Sequence, residues 1–232
     1  MQEKLNEFFI APFVIDIQES EISKYYFTSD LHLNHRNIFY FTNRRKELDL
    51  VETEKDKLIS EFENKIIDRF NTILPEDAIL VNCGDIMFGK LSEFFQTLDR
   101  IKCQRQYIIM GNHDYGNILK KPNQRLSYDP NAKYQFSNLI VFRIFSGGST
   151  HPKYMFSVSH MPLEDYYGQF NIHGHLHSFK DPEENKSKDF KNYETIKKYK
   201  GFGTHFDCGL ERNGMNPVPL IEILNNKTDI IL

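Results

Sequence analysis

Residues 172–177 read Ile-His-Gly-His-Leu-His, so three of the nine histidines in this chain of 232 residues fall within five positions. In an extended strand, side chains two apart point the same way, and His175 and His177 would then present two imidazoles side by side, like a pair of metal ligands. Two imidazoles alone hold a divalent ion weakly. A chain that uses them must therefore bring carboxylates and further nitrogen or oxygen donors to the same place from the ends of other strands. That requirement limits the fold to one in which several strands finish at a common edge. Taken singly, each histidine has an ordinary alternative as a packed or solvated residue.

Four other stretches meet the requirement. Lys24 to Thr28 is β-rich and runs into Ser29-Asp30-Leu31-His32-Leu33-Asn34-His35, which repeats the two-residue spacing with Asp30 and His32. Ser29-Asp30 by itself would equally suit a helix N-cap. His35, Arg36 and Asn37 open a short helix extending to Thr42. Between Glu52 and Leu74, Leu58, Ile59, Phe62, Ile66, Ile67 and Phe70 recur at helical spacing and mark a packing helix. Ala78 to Asn82 is a short apolar strand of the buried, parallel kind, and Gly84 permits a tight exit from it at Asp85. Leu91, Phe94, Phe95, Leu98 and Ile101 mark a second amphipathic helix. A third strand, Gln106 to Met110, then delivers Gly111-Asn112-His113-Asp114. Three β-α units thus end in polar residues, at the edge where open α/β sheets place their ligands.

In the second half helical periodicity fades. Strands are expected at Asn138–Phe145, Tyr154–Ser159, Phe170–Ile172, Thr204–Cys208 and Val218–Leu224, in a mostly antiparallel sheet. Tyr154–Ser159 delivers His160, and the next strand delivers the histidine cluster. The apolar run from Phe8 to Ile15 reads as a further strand broken at Pro12. It is too short to span a bilayer and follows acidic rather than basic residues, so neither a membrane anchor nor a signal peptide is expected. Residues 180–200 are rich in Lys, Glu and Asp without apolar periodicity; they read as a solvated insert, with a lid over the site as the alternative. With no repeat or linker, one domain over residues 1–232 is expected.

Composition narrows the function. A content of 40% hydrophobic residues supports a core without staples. A net charge of -3 argues against gripping long nucleic acid by phosphate neutralisation alone. Cys83, Cys103 and Cys208 are widely spaced and form no C-x-x-C, so neither a disulfide framework nor a cysteine zinc site is signalled, and a reducing cytoplasm is the expected setting.

In chain order the polar stretches are D-x-H, G-D, G-N-H-D, a single H, and G-H-x-H. This ordered set, from Asp30 to His177, resembles the calcineurin-like metallophosphoesterase superfamily. Asp30-x-His32-x-x-His35-x-Asn37, with Gly84-Asp85-x-x-x-Gly89 and the closing Asp207–Leu220 segment, is similar to a compact bacterial and phage branch; Leu33-Asn34 departs from the Phe-Gly expected there.

The resemblance implies an α/β fold of two mixed β-sheets packed as a sandwich with flanking helices, and a dimetal site at the strand ends on one edge. It implies one metal held by Asp30, His32 and His177, another by Asn112, His160 and His175, and Asp85 bridging the two. A metal-bridging hydroxide would attack the phosphate ester, His113 would protonate the leaving oxygen, and Asp114 would orient His113. His35, Arg36 and Asn37 are candidate contacts to the substrate phosphate, a surface helix start being the alternative. His173 is either a support for the ligands or a core residue, and His151 and His205 carry no assignment.

Two divalent ions bring four positive charges, of which Asp30, Asp85 and the hydroxide cancel three, leaving a centre that attracts phosphate. Nitrogen and oxygen ligation admits Mn, Fe, Zn or Ni, and manganese is the expectation. Phosphoprotein phosphatases of the superfamily look like G-D-x-x-D-R-G, whose arginine grips a monoester; here the block is Gly84-Asp85-Ile86-Met87-Phe88-Gly89. A phosphodiester, with one charge fewer, is therefore the expected substrate, on a nucleotide or a nucleic-acid end. A phosphomonoesterase in which Arg36 or a residue of the 180–200 segment replaces that arginine is the alternative among enzymes. A non-catalytic metal-binding scaffold is the alternative outside them. The oligomeric state is not legible in the sequence.

Overall fold

A computed structural model of the protein describes residues 12–51, 54–117, 132–163, 165–177 and 204–228. It has an α/β architecture in which two mixed five-stranded sheets pack as a sandwich flanked by helices. The first sheet runs β10-β2-β3-β4-β5 and the second β1-β6-β7-β8-β9.

In the first sheet, β2 (Tyr25–Thr28), β3 (Ile79–Asn82), β4 (Arg105–Ile109) and β5 (Tyr134–Ser137) are parallel neighbours, with β10 (Val218–Pro219) antiparallel to β2. Their buried side chains are mostly apolar on both faces because both faces are covered. Leu80 of β3 and Ile108 of β4 pack against helices Lys55–Ile73 and Leu91–Asp99, through Phe62, Phe70, Phe94 and Leu98. Their neighbours Val81 and Ile109 turn to the opposite face and meet the second sheet. Phe27, Phe142, Phe156 and Phe170 fill that inter-sheet layer, with ring centroids 5.2 Å apart for Phe142–Phe156 and 4.7 Å for Phe156–Phe170. Each such ring stabilises the fold by about 1.5–3 kcal/mol through burial alone.

The second sheet departs from the sequence reading. Its strands are β1 (Phe13–Gln18), β6 (Leu139–Phe145), β7 (Tyr154–Ser159), β8 (Phe170–His173) and β9 (Thr204–Asp207). Only β6–β7 is antiparallel; β1–β6, β7–β8 and β8–β9 are all parallel. A turn at Gly147 and Gly148, both at positive φ, closes the one hairpin among the described residues, whereas the longer stretches of sequence after β7 and β8 leave room for the next strand to run parallel. The expected strand from Asn138 begins at Leu139, and β5 precedes it in the other sheet, so the chain changes sheets at Asn138. Val218–Leu224 is also corrected: two residues pair and Leu220–Thr228 is helical, with Leu220, Ile223 and Leu224 buried at i, i+3 and i+4. A short apolar run does not by itself distinguish the two outcomes.

β1 starts just after Pro12; the remainder of the expected Phe8–Ile15 strand and the 180–200 insert lie outside the described residues. Among the described residues no helix is long and apolar enough to cross a membrane.

Candidate metal centre

The C-terminal ends of β2, β3, β4, β7 and β8 open onto one edge, where the chain leaves each strand sharply. Asp30, His32, Asp85, His175 and His177 have φ of 58°, 47°, 53°, 72° and 38°, the left-handed region that side chains with a Cβ avoid. Each costs on the order of 1–3 kcal/mol and persists only because its surroundings hold it. Here the hold is a set of cross-loop bonds: Asp30 N–H donates to Gly84 O at 2.9 Å, His32 N–H to Asp85 O at 2.9 Å and Leu33 N–H to Ile86 O at 2.8 Å. His175 N–H donates to Asp30 Oδ2 at 2.8 Å. Close approach requires glycine at two points. A Cβ on Gly111 would fall on Asp85, and one on Gly174 would fall on Ser29 and Asp30.

Two clusters result. In the first, His32 Nε2 lies 3.0 Å from His177 Nε2, and Asp30 Oδ1 lies 3.9 Å from His32 Nε2 and 3.6 Å from His177 Nε2. In the second, His160 Nε2 lies 3.4 Å from Asp85 Oδ2, 3.2 Å from His175 Nδ1 and 2.9 Å from Asn112 Oδ1. Asp85 Oδ2 is also 3.7 Å from His32 Nε2, so one carboxylate oxygen stands between the clusters. His175 and His177 are therefore not a side-by-side pair. β8 ends at His173, and beyond it the chain turns His175 to the second cluster and His177 to the first.

The donor atoms suit a cation. With the Nδ1 proton of His160 donated to Cys83 O at 2.8 Å, the neutral ring turns a lone pair at Nε2 toward the Asn112 and Asp85 oxygens. Asp30 Oδ1 is buried with no hydrogen-bond partner. Acceptors facing acceptors in a buried place call for a positive charge. The protein alone meets this with a proton: burial lowers the pKa of His160, but Asp85 and Asp30 outweigh it and raise it to about 9. Burial and the neighbouring His177 hold His32 well below its usual value, which keeps it the neutral imidazole a metal needs. The three-residue sets Asp30, His32, His177 and Asp85, His160, His175 each gather their donor atoms within 4.8 Å.

The remaining expected residues divide. His113 Nε2 lies 3.9 Å from Asp85 Oδ2 with its side chain 45% exposed, and its backbone N–H donates to Asp85 Oδ1 at 2.9 Å. Asp114, expected to orient His113, holds backbone amides of two loops. Its buried carboxylate accepts the backbone N–H groups of Asp85 at 2.8 Å, Ile86 at 3.0 Å and Gly111 at 2.9 Å, clasping the β3 and β4 loops together. Burial and Asp85 push its pKa up to about 7 against the pull of those amides. His35 joins the site, stacked on Phe88 at 4.1 Å and 5.4 Å from the His32 ring. Arg36 instead reaches Asp56 at 3.3 Å, and Asn37 Oδ1 accepts from Lys55 Nζ at 3.0 Å, both at the start of the Lys55–Ile73 helix. His173 is a core residue under the loop, its Nδ1 3.0 Å from Gly174 O and its pKa driven down to about 3 by burial.

Three neighbours were not foreseen. Phe88 stacks near the site, and Arg44 and Glu211 form a fully buried pair behind it, with Arg44 Nε donating to Glu211 Oε1 at 2.7 Å. Metal-ligating histidines generally donate their other N–H to a carboxylate, a backbone carbonyl or water, and nothing in the sequence marks Glu211 among the acids as such a partner.

A family model described as calcineurin-like phosphoesterase matches residues 23–225. The fold is similar to that of a protein of unknown function from Aquifex aeolicus, with a TM-score of 0.53, 18% identity, and coverage of 87% of this chain and 97% of that one. No curated protein matches. The family and the two ligand clusters together support metal-dependent hydrolysis of phosphoric esters in general. With most of its length matched, the chain belongs to the calcineurin-like phosphoesterase family.

Proposed function

We propose that the protein is a phosphodiesterase acting on a nucleotide or a nucleic-acid end, with two divalent ions, manganese by preference, held by Asp30, His32 and His177 and by Asn112, His160 and His175, Asp85 being shared. The observation that carries the diester reading is the commitment of the loop arginines. Arg36 is turned to Asp56, and Arg44 is buried against Glu211 and two carbonyls, so neither is presented as a clamp for the extra charge of a monoester. Beside the ligands, the site offers rings instead: His35 on Phe88, and His113 5.2 Å from Phe88. Such rings suit the flat face of a base. The three free cysteines fit a reducing compartment, and we place the protein in the cytoplasm.

Bound ions of this kind supply an acidified water at neutral pH and positive charge for the phosphoryl oxygens. The chain supplies the rest. Asp85, whose Oδ2 lies 3.7 Å from His32 Nε2 and 3.4 Å from His160 Nε2, can serve both positions. His113, half exposed on the open side and anchored through its backbone to Asp85, is placed to pass a proton from Nε2 to the leaving oxygen.

The test is hydrolysis of bis(p-nitrophenyl) phosphate against p-nitrophenyl phosphate by metal-stripped protein titrated with manganese, with Asp85→Asn as control. Metal-dependent preference for the diester is the expected result. Preference for the monoester would replace this reading with a phosphomonoesterase, and metal binding without turnover of either would favour a scaffold.

A further inference from the structure

The two pockets differ in what stands behind one histidine of each, His160 and His177. His160 backs onto a neutral backbone group, the carbonyl of Cys83. His177 backs onto a charge: its Nδ1 lies 3.4 Å from Glu211 Oε1. Glu211 in turn accepts from Arg44, whose Nε and Nη2 both lie 2.7 Å from the same oxygen. The Arg44 guanidinium also donates to the carbonyls of Leu31, at 2.6 Å, and Asp30. One buried side chain thus ties the loop that carries Asp30 and His32 to the Leu210–Asn213 turn that carries Glu211.

We propose that Arg44 and Glu211 are a positioning pair that fixes the Asp30–His32–His177 pocket and makes it the first of the two to fill with a divalent cation. The inference rests on reading the two clusters as metal pockets. A carboxylate at Nδ1 keeps the proton there, so the lone pair of His177 sits at Nε2, the atom that faces His32 and Asp30. It also makes the ring a more basic ligand than one backed by a carbonyl. The charges of Arg44 and Glu211 cancel, so Asp30 presents its whole negative charge to the pocket. Removing Glu211 alone would leave the guanidinium buried and uncompensated beside a cation site, which disfavours the cation a second time.

The experiment is calorimetric titration of manganese into metal-stripped full-length protein, with electron paramagnetic resonance reading free manganese in parallel. Wild type is expected to show two classes of site. In Glu211→Gln the tighter class should weaken by about 10–100-fold with the weaker class unchanged. A merely structural role would lower thermal stability and weaken both classes alike. Should Glu211→Gln fail to fold, Arg44→Lys, which keeps the charge but loses the fork, should still weaken the tighter class selectively. Equal weakening of both classes, loss confined to the weaker class, or two indistinguishable sites in wild type would each overturn the inference. Absence of manganese binding by wild type would instead overturn the metal-centre reading on which it stands.

Discussion

The two sheets contribute different chemistry to the site. Loops of the first sheet bring both candidate carboxylate donors, Asp30 and Asp85, together with His32 and Asn112; loops of the second bring only imidazoles, His160, His175 and His177. The carboxylate side is densely bonded within itself. Its loops are zipped by backbone bonds between Asp30 and Gly84 and between His32 and Asp85, and clasped again by Asp114. The imidazole side has its own backbone bonds, Gly174 N–H to His160 O at 3.0 Å and Cys208 N–H to His173 O at 2.8 Å, and also leans on the other side: His160 Nδ1 on Cys83 O and His175 N–H on Asp30 Oδ2. Negative charge at the site therefore comes from the first sheet's loops, and the second sheet's loops face it with imidazole donors.

That division can be broken most severely at Asp85, whose Oδ2 approaches both clusters. Asp85→Asn should reduce turnover by far more than the roughly 100-fold that loss of an outer support brings, and manganese titration should show both sites weakened. Substantial residual activity would remove Asp85 from its bridging place. His113→Ala should spare the metals but slow hydrolysis by about 10²–10⁴-fold with poor leaving groups and much less with p-nitrophenolate. An equal loss for both would show that His113 delivers no proton. Asp114→Asn is a subtler cut, since an amide offers one acceptor oxygen to three backbone N–H groups. Metal affinity should fall by about 10–100-fold, with the pocket of Asp85, Asn112 and His160 hit harder. If the pocket of Asp30 suffered more, the clasp would be acting on the wrong loop.

Legibility in the sequence follows the same division. The ends of β2, β3 and β4 could be read because each is a short apolar run stopped by a polar exit, and the helices between them keep a clean helical period. In the second sheet the same apolar runs carry no sign of strand direction, which depends on where the connections travel; hence the antiparallel expectation failed for β7–β8 and β8–β9. The two-residue spacing of His175 and His177 suggested one shared face, yet the strand stops at His173 and left-handed turns split them. Arg44 and Glu211 were illegible for a different reason. They are 167 positions apart, and neither has a purpose until the fold brings them together. Asp114 was visible in its motif, but only its three amide partners reveal a structural duty.

Each pocket draws donors from both sheets, so a bound ion would be a rivet through the seam between them. Rivets act on lifetime as well as on chemistry. A metal at a hundred times its dissociation constant adds about 2.7 kcal/mol to stability, and its withdrawal would let the seam open more often. We expect chelator to hasten proteolysis of the wild-type protein and to change little in Asp85→Asn; equal cleavage rates with and without chelator would deny the rivet. In a cell short of metal, the amount of this protein would then decline along with its activity.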